Sequence, residues 1–185
     1  MIHIDAEILT LDRSELVARM MCTDIDTVLS LSDKAEQEIK SVAVCGYSFA
    51  KTAVKTDGDT VTLGFGSFKS RGLAALLKGC DNAYVVAVTL GHGVDRLLRQ
   101  KAVVSTVEQF ATDAVASTLA ESLCDRVQGL LPEKTGRRFS PGYSDLPLTV
   151  QEPLLRFLGN TDITLTETGL MIPSKSVTFI AGVKE

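Results

Sequence analysis

The run AYVVAVTL, Ala83 to Leu90, constrains this chain's fold more than any other feature. It carries no charge, so both of its alternating faces are apolar, and it suits a central strand buried on each side. Gly91-His92-Gly93 follows, and VDRLLRQ then takes up a helical pattern. The local order is therefore strand, glycine turn, helix.

Other segments arrange themselves around that strand. Two polar-apolar helical patterns open the chain, Asp12 to Met21 and Asp24 to Lys40, the second led by Ile25, Val28, Leu29 and Leu31 with Asp24 as N-cap. From Ser41 to Phe65 β-branched residues surround Asp57-Gly58, a hairpin dipeptide, which predicts antiparallel strands over Val42 to Val54 and Val61 to Phe65. Gly72 to Leu77 reads as a short helix closed at Gly79. A long helix is predicted from Val103 to Leu130, about 40 Å at ~1.5 Å per residue. Val107, Phe110 and Ala114 form one inward row, and Leu119, Leu123, Val127 and Leu130 continue on a rotated face, so more than one side is expected to be buried. Pro132 ends it, Pro141, Gly142 and Pro147 mark an irregular segment, and Glu152 to Leu158 is a further short helix. The tail ITLTETGLMIPSKSVTFIAGV alternates as paired strands interrupted at Gly169 and Pro173. No repeat or linker divides the chain, and 185 residues suffice for one domain, residues 1–185, without metal or disulfide staples.

Several function classes fall away on composition. A formal charge of -4 and the absence of Trp argue against a nucleic-acid partner, whose phosphates call for Lys and Arg and whose bases call for aromatic platforms. No apolar run approaches the ~20 residues needed to span a bilayer, and MIHIDAEILTLDRSE carries acids where a signal peptide carries a basic start. The expected setting is cytoplasmic, with no membrane partner. Cys22, Cys45, Cys80 and Cys124 are far apart, with only His3 and His92 as nitrogen partners, and read as small buried hydrophobes rather than zinc ligands. LGFGSFKSRG does not spell the G-x-G-x-x-G of a Rossmann loop, and no G-x-S-x-G of a hydrolase is present.

Arg137 to Pro147 concentrates unusual residues: two arginines, Pro141-Gly142-Tyr143, Asp145 and Pro147. Arginine offers a planar fork that suits a carboxylate, glycine and proline hold and expose backbone, and tyrosine supplies an aromatic wall with a polar tip. That chemistry fits an amino-acid-like ligand; the same residues would equally close a surface turn. Glu121 continues the row Val107, Ala114 at steps of seven, either facing inward or solvated on a rotated helix.

Arg138, Gly142 and Tyr143 form R-x-x-x-G-Y, which resembles the S-adenosylmethionine-binding motif of the activation domain of cobalamin-dependent methionine synthase. Downstream, TLTETGLMIPSKSVTFIAG resembles the family segment in which L-T-E-S precedes Met, Pro and S-V-S-G, here Leu165, Thr166, Glu167, Met171, Pro173, Ser176 and Val177. Upstream, LAESLCDRV is similar to the family helix with an A-E pair, which puts Glu121 on the matching acid. The resemblance is strongest over residues 107–182. Ser144 follows Tyr143 where the synthase domain has proline, and GYSDLPL is closer to the short free-standing relatives. Asp5 and Asp12 are candidates by position for the family's N-terminal acidic ligand residue. His92 lacks the D-x-H-x-x-G setting of a cobalamin-binding histidine, since Leu90 stands where Asp would.

The resemblance implies a single α+β domain, a twisted and mainly antiparallel sheet with flanking helices. It implies reductive reactivation: S-adenosylmethionine methylates the cobalamin of a partner methionine synthase or other corrinoid protein, the cobalamin being carried by that partner. Arg138 would hold the methionine carboxylate, the backbone at Pro141 and Gly142 would shape a cradle, Tyr143 would wall it, and Glu121 would favour the ligand's cationic or hydroxyl side. No residue is expected to act as acid, base, nucleophile or metal ligand. Two alternatives stay open: a docking module that regulates a corrinoid protein without ligand, and a conventional methyltransferase with its own acceptor.

Overall fold

A computed structural model describes residues 1–20, 25–159 and 161–184, with backbone alone for 25–29. In chain order the elements are β1 (Ile2–Ile4), a 3-10 turn (Ala6–Ile8), α1 (Arg13–Met20), α2 (Ile25–Val42), β2 (Cys45–Ala53), β3 (Lys55–Asp57), β4 (Thr60–Leu63), β5 (Gly66–Lys69) and α3 (Arg71–Leu76). They continue with β6 (Asn82–Thr89), α4 (His92–Val104), α5 (Thr106–Leu130), β7 (Thr135–Phe139), a second 3-10 turn (Leu148–Val150), α6 (Gln151–Leu158), β8 (Thr164–Leu165), β9 (Met171–Ile172) and β10 (Ser176–Val183).

The apolar run forms β6, and it is central as its two apolar faces require. The main sheet has the order β1-β2-β6-β10-β7 with every pair antiparallel. On one face Tyr84, Val86 and Val88 join Phe179 and Ala181 beneath α1, α2, α4 and α5; on the other, Val85, Ala87 and Ile180 meet β4, α3, β7 and α6. Each fully buried valine contributes about 1.5–3 kcal/mol of transfer free energy, so the run is the main apolar investment of the sheet. The expected α+β architecture is what forms.

Three expectations need correction. The Asp57-Gly58 turn does join antiparallel strands, but they are β3 and β4; the longer segment upstream, β2, turns away at Val54 to pair with β1 and β6. A turn dipeptide identifies its own hairpin and not the distant partner of the strand before it. β4 also pairs with β5, which the sequence reading omitted. Second, the long helix is broken at Ser105, whose backbone is extended at φ -158° and ψ 121°. Its N–H closes α4 on the Lys101 carbonyl, and its Oγ accepts from the Glu108 N–H to start α5. Val103 and Val104 therefore end α4, and the serine cap overrides a periodicity that runs on through it. Third, Val107 and Phe110 are 64% and 53% exposed, so that row does not face inward; Ala114 is buried, and Leu130 is half exposed. Burial along α5 starts at Ala111 and then covers several sides of the helix, as expected.

Asp12 lies before α1, where its carboxylate accepts from the Ser14 and Glu15 N–H groups. The expected cap Asp24, and Met21 and Cys22, lie outside the described residues, as do the side chains of Ile25, Val28 and Leu29. The tail forms the β8–β9 hairpin and then β10, which runs along β6 from Ser176 opposite Thr89 to Gly182 opposite Ala83.

Candidate functional site

Arg138 is on edge strand β7, not in a loop, opposite Ala181 of β10, and Phe139 is opposite Ile180. Alternation sends these two side chains to opposite faces of the sheet. Phe139 is buried with Leu73 and Leu154, while Arg138 turns toward α5. There Glu121, Asp125 and Gln128, spaced by four and then three residues, share one helix face. Arg138 Nη2 donates to Glu121 Oε2 at 3.1 Å, Nη1 donates to Asp125 Oδ1 and, at 3.4 Å, to Gln128 Oε1. The guanidinium carbon lies 5.6 Å from the centre of the Phe179 ring.

The Arg138 side chain is 23% exposed, against 39% for Glu121 and 73% for Asp125. Burial opposes the Arg138 charge, but the Asp125 hydrogen bond and the charges of Asp125 and Glu121 outweigh it and hold the guanidinium protonated above its usual range. Below it, burial and the charge of Glu121 push the Cys124 thiol up. The cluster is a cation ringed by acids of unequal exposure, and the more exposed acid is the easier to displace.

After Phe139 the chain leaves the sheet. Gly142 has φ 84°, a conformation that other residues adopt only with strain, and its N–H donates to the Leu146 carbonyl at 2.8 Å. Leu148 covers it: a β-carbon there would meet Leu148 Cδ1 at 3.1 Å. Asp145 ties the loop to α3, accepting from Ser70 Oγ at 2.6 Å and from the Arg71 and Gly72 N–H groups at 2.6 and 3.2 Å. The Ser70 hydrogen bond, aided by those N–H groups and opposed by partial burial, holds the Asp145 carboxyl below its ordinary range. Tyr143 is 67% exposed and its ring meets Phe139 edge-on, centres 5.5 Å apart.

The expected site residues thus fall into two groups. Arg138 and Glu121 come together on the α5 face; Pro141, Gly142 and Tyr143 follow round the end of β7, with Tyr143 on the Phe139 side. Pro141 borders a cavity of about 250 Å³ shared with Leu148, Gln151 and Met171. On the α5 face an open cleft of about 430 Å³ is lined by Asp12, Ser122 and Asp125, and another of about 840 Å³ by Asp125, Gln128 and Lys184. A separate cavity of about 690 Å³ lies between α6 and the β8–β9 hairpin and includes Glu167. Of the two N-terminal acids, Asp12 borders a cleft beside Asp125, whereas Asp5 accepts from the Glu7 N–H in the first 3-10 turn.

Sequence reasoning missed Asp125. Asp125 carried a usable signal, four residues beyond Glu121 on one helix. His92 is exposed in the first turn of α4. Cys45 and Cys124 are buried, burial and then Asp5 pushing the Cys45 thiol up to about 11. Among the described residues no group of three or more His, Cys, Asp or Glu is placed to hold a metal, and no helix is long and apolar enough to cross a membrane.

No protein-family model matches the chain, and no curated protein matches it in sequence. In fold it is similar to the crystal structure of the MetH reactivation domain bound to AdoHcy, with a TM-score of 0.77 and 15% identity, over 98% of this chain and 77% of that one. The architecture described above is the reactivation-domain fold.

Proposed function

We propose that this chain, as one domain over residues 1–185, binds S-adenosylmethionine and presents its methyl group to the cobalamin of a partner methionine synthase or related corrinoid enzyme for reductive reactivation. The observation that carries this is the half-buried Arg138 between Glu121 and Asp125, in a fold whose solved counterpart holds AdoHcy. Glu121 and Asp125 hold the guanidinium in place. A ligand carboxylate takes the place of the exposed Asp125, and Glu121 stays to meet the ligand's cationic side. Pro141 and Gly142 shape the turn over which the ligand passes, and Tyr143 stands exposed beyond it.

S-adenosylmethionine brings a methyl group on a sulfonium with a neutral leaving group; the accepting cobalt belongs to the partner and would take that group only after one-electron reduction by a separate reductant. This chain therefore supplies no acid, base or nucleophile. Its contribution is alignment, which for a well-placed pair lowers a barrier by ~7 to 11 kcal/mol. The net charge of -4 agrees with a protein partner rather than nucleic acid, and the proposed compartment is the cytoplasm.

Titration calorimetry with AdoHcy tests the reading: the wild type binds, and Arg138→Ala loses most of that affinity. Absence of binding to the wild type overturns it. A second reading has an observation of its own, since Arg138 is already satisfied by Glu121 and Asp125 and needs no ligand. A docking module of that kind would rescue an inactive corrinoid enzyme without S-adenosylmethionine, which a reactivation assay with and without the methyl donor decides.

A further inference from the structure

Four apolar side chains stand in water where α4 meets α5. Val103 and Val104 are 89% and 77% exposed, and Val107 and Phe110 are 64% and 53% exposed. They lie on either side of the Ser105 cap, the last two residues of α4 against the first turns of α5, and so form one patch. A single exposed valine needs no explanation. Four neighbours expose on the order of 300 Å² of apolar surface in one place, the size at which a patch on a monomer is often a contact site.

The charges at the two ends of the patch have opposite signs. On the α4 side Arg96 and Arg99 precede Val103 at steps of three and four, on one exposed helix face, and neither has an ion-pair partner among the described residues. The remaining cation of α4, Lys101, is turned inward between Glu38 and Glu108. On the α5 side Asp113, three residues beyond Phe110, is 54% exposed; Lys175 Nζ meets its Oδ1 at 2.9 Å, which leaves Oδ2 open to a second cation. Cation, apolar centre and acid follow one another along the chain, with Arg99 and Asp113 each seven residues from the exposed Thr106. That layout is self-complementary: a two-fold axis near Thr106 brings the arginine end of one copy over the acid end of the other and Val103 over Phe110. Two copies would cover about 600 Å² of apolar surface and a charged rim, less than the ~1,200 Å² of a tight complex. The association is therefore reversible.

We propose that this face docks a second copy of the chain, in a weak two-fold dimer where Val103, Val104, Val107 and Phe110 form the centre and Arg99 meets Asp113 of the other copy. The inference stands apart from the S-adenosylmethionine reading, and its test uses the full chain without ligand. Sedimentation equilibrium from about 1 to 100 µM compares the wild type with Val107→Asp, Arg99→Asp, Asp113→Arg and the double charge exchange. The wild type passes from monomer to dimer across that range, as an interface of this size requires. Val107→Asp, changed at an exposed site that leaves the fold intact, stays monomeric at about 100 µM. Each single charge reversal weakens association by about tenfold, because the two-fold axis counts every like-charge contact twice. The double exchange restores opposite charges and returns to within about threefold of the wild type. Circular dichroism and Tm confirm that each variant is folded. A wild type that is monomeric at about 100 µM overturns the inference and leaves the patch to a protein of another sequence. Val107→Asp that dimerises like the wild type overturns it too, as does a double exchange no tighter than its single changes. AdoHcy binding is unaffected by any of these results and fails or stands on calorimetry alone.

Discussion

Arg138 and Glu121, 17 residues apart in the chain, meet across a strand and a helix with Nη2 and Oε2 at 3.1 Å. Their partner Asp125 is the most exposed of the three, at 73% of its side chain. The arrangement leaves one carboxylate position on the guanidinium cheap to exchange with an incoming ligand, because an exposed acid returns to water at little cost.

Arg138→Lys keeps the charge but loses the planar fork that grips two carboxylates at once. We expect AdoHcy affinity to fall by about tenfold for Lys and by roughly 10- to 100-fold for Ala, the range of a charge-assisted hydrogen bond worth ~1.5–3 kcal/mol. Calorimetry at one fixed salt concentration reads both variants.

Gly142→Ala places a methyl group at φ 84° and 3.1 Å from Leu148 Cδ1. The backbone strain and the contact act together, so the variant should lose more than about 1 kcal/mol of stability in urea denaturation. Gly142 sits in the turn proposed to shape the ligand's path, so AdoHcy affinity should fall along with stability.

Asp145→Asn removes a carboxylate that takes hydrogen bonds from Ser70, Arg71 and Gly72. Its folded carboxyl titrates below the ordinary value, so its stabilisation is present above the unfolded pKa, about 3.9, and is lost as pH falls through the folded value. The variant should melt lower than the wild type at pH 7, and the gap should close as the pH drops below about 4. Thermal melts across that range check the sign.

Leu123→Ala empties a fully buried position on α5 and should cost about 2–5 kcal/mol. Phe110→Ala, at a site 53% exposed, should change stability by only about 0.5 kcal/mol. Equal losses in chemical denaturation would restore the inward row that the sequence pattern suggested.

What could be read from the residues depended on how local each signal was. The apolar faces of β6, the short helices α3 and α6, and the paired strands either side of Gly169 are decided within a few positions, and they appear where expected. The partner of β2 is set by a register between Gly46 and Thr89, far apart in the chain, and Asp57-Gly58 says nothing about it. Ser105 was hidden because serine is compatible with a helical pattern until its backbone turns extended. At the site, R-x-x-x-G-Y named Arg138 and Tyr143 but not that strand alternation directs Arg138 and Phe139 to opposite faces, with Tyr143 following Phe139. Glu121 came from the resemblance, and its distance from Arg138 only from the fold.

The pairing of β7 with β10 also acts as a ruler. Arg138 faces Ala181 and Phe139 faces Ile180, so the span from the guanidinium to the turn at Pro141 is counted in whole strand residues. One residue inserted between Arg138 and Pro141 would lengthen that span by ~3.3 Å, and one inserted before Arg138 would exchange which of Arg138 and Phe139 reaches α5. The length of this interval therefore cannot change without moving the guanidinium relative to the turn, whatever residues occupy it.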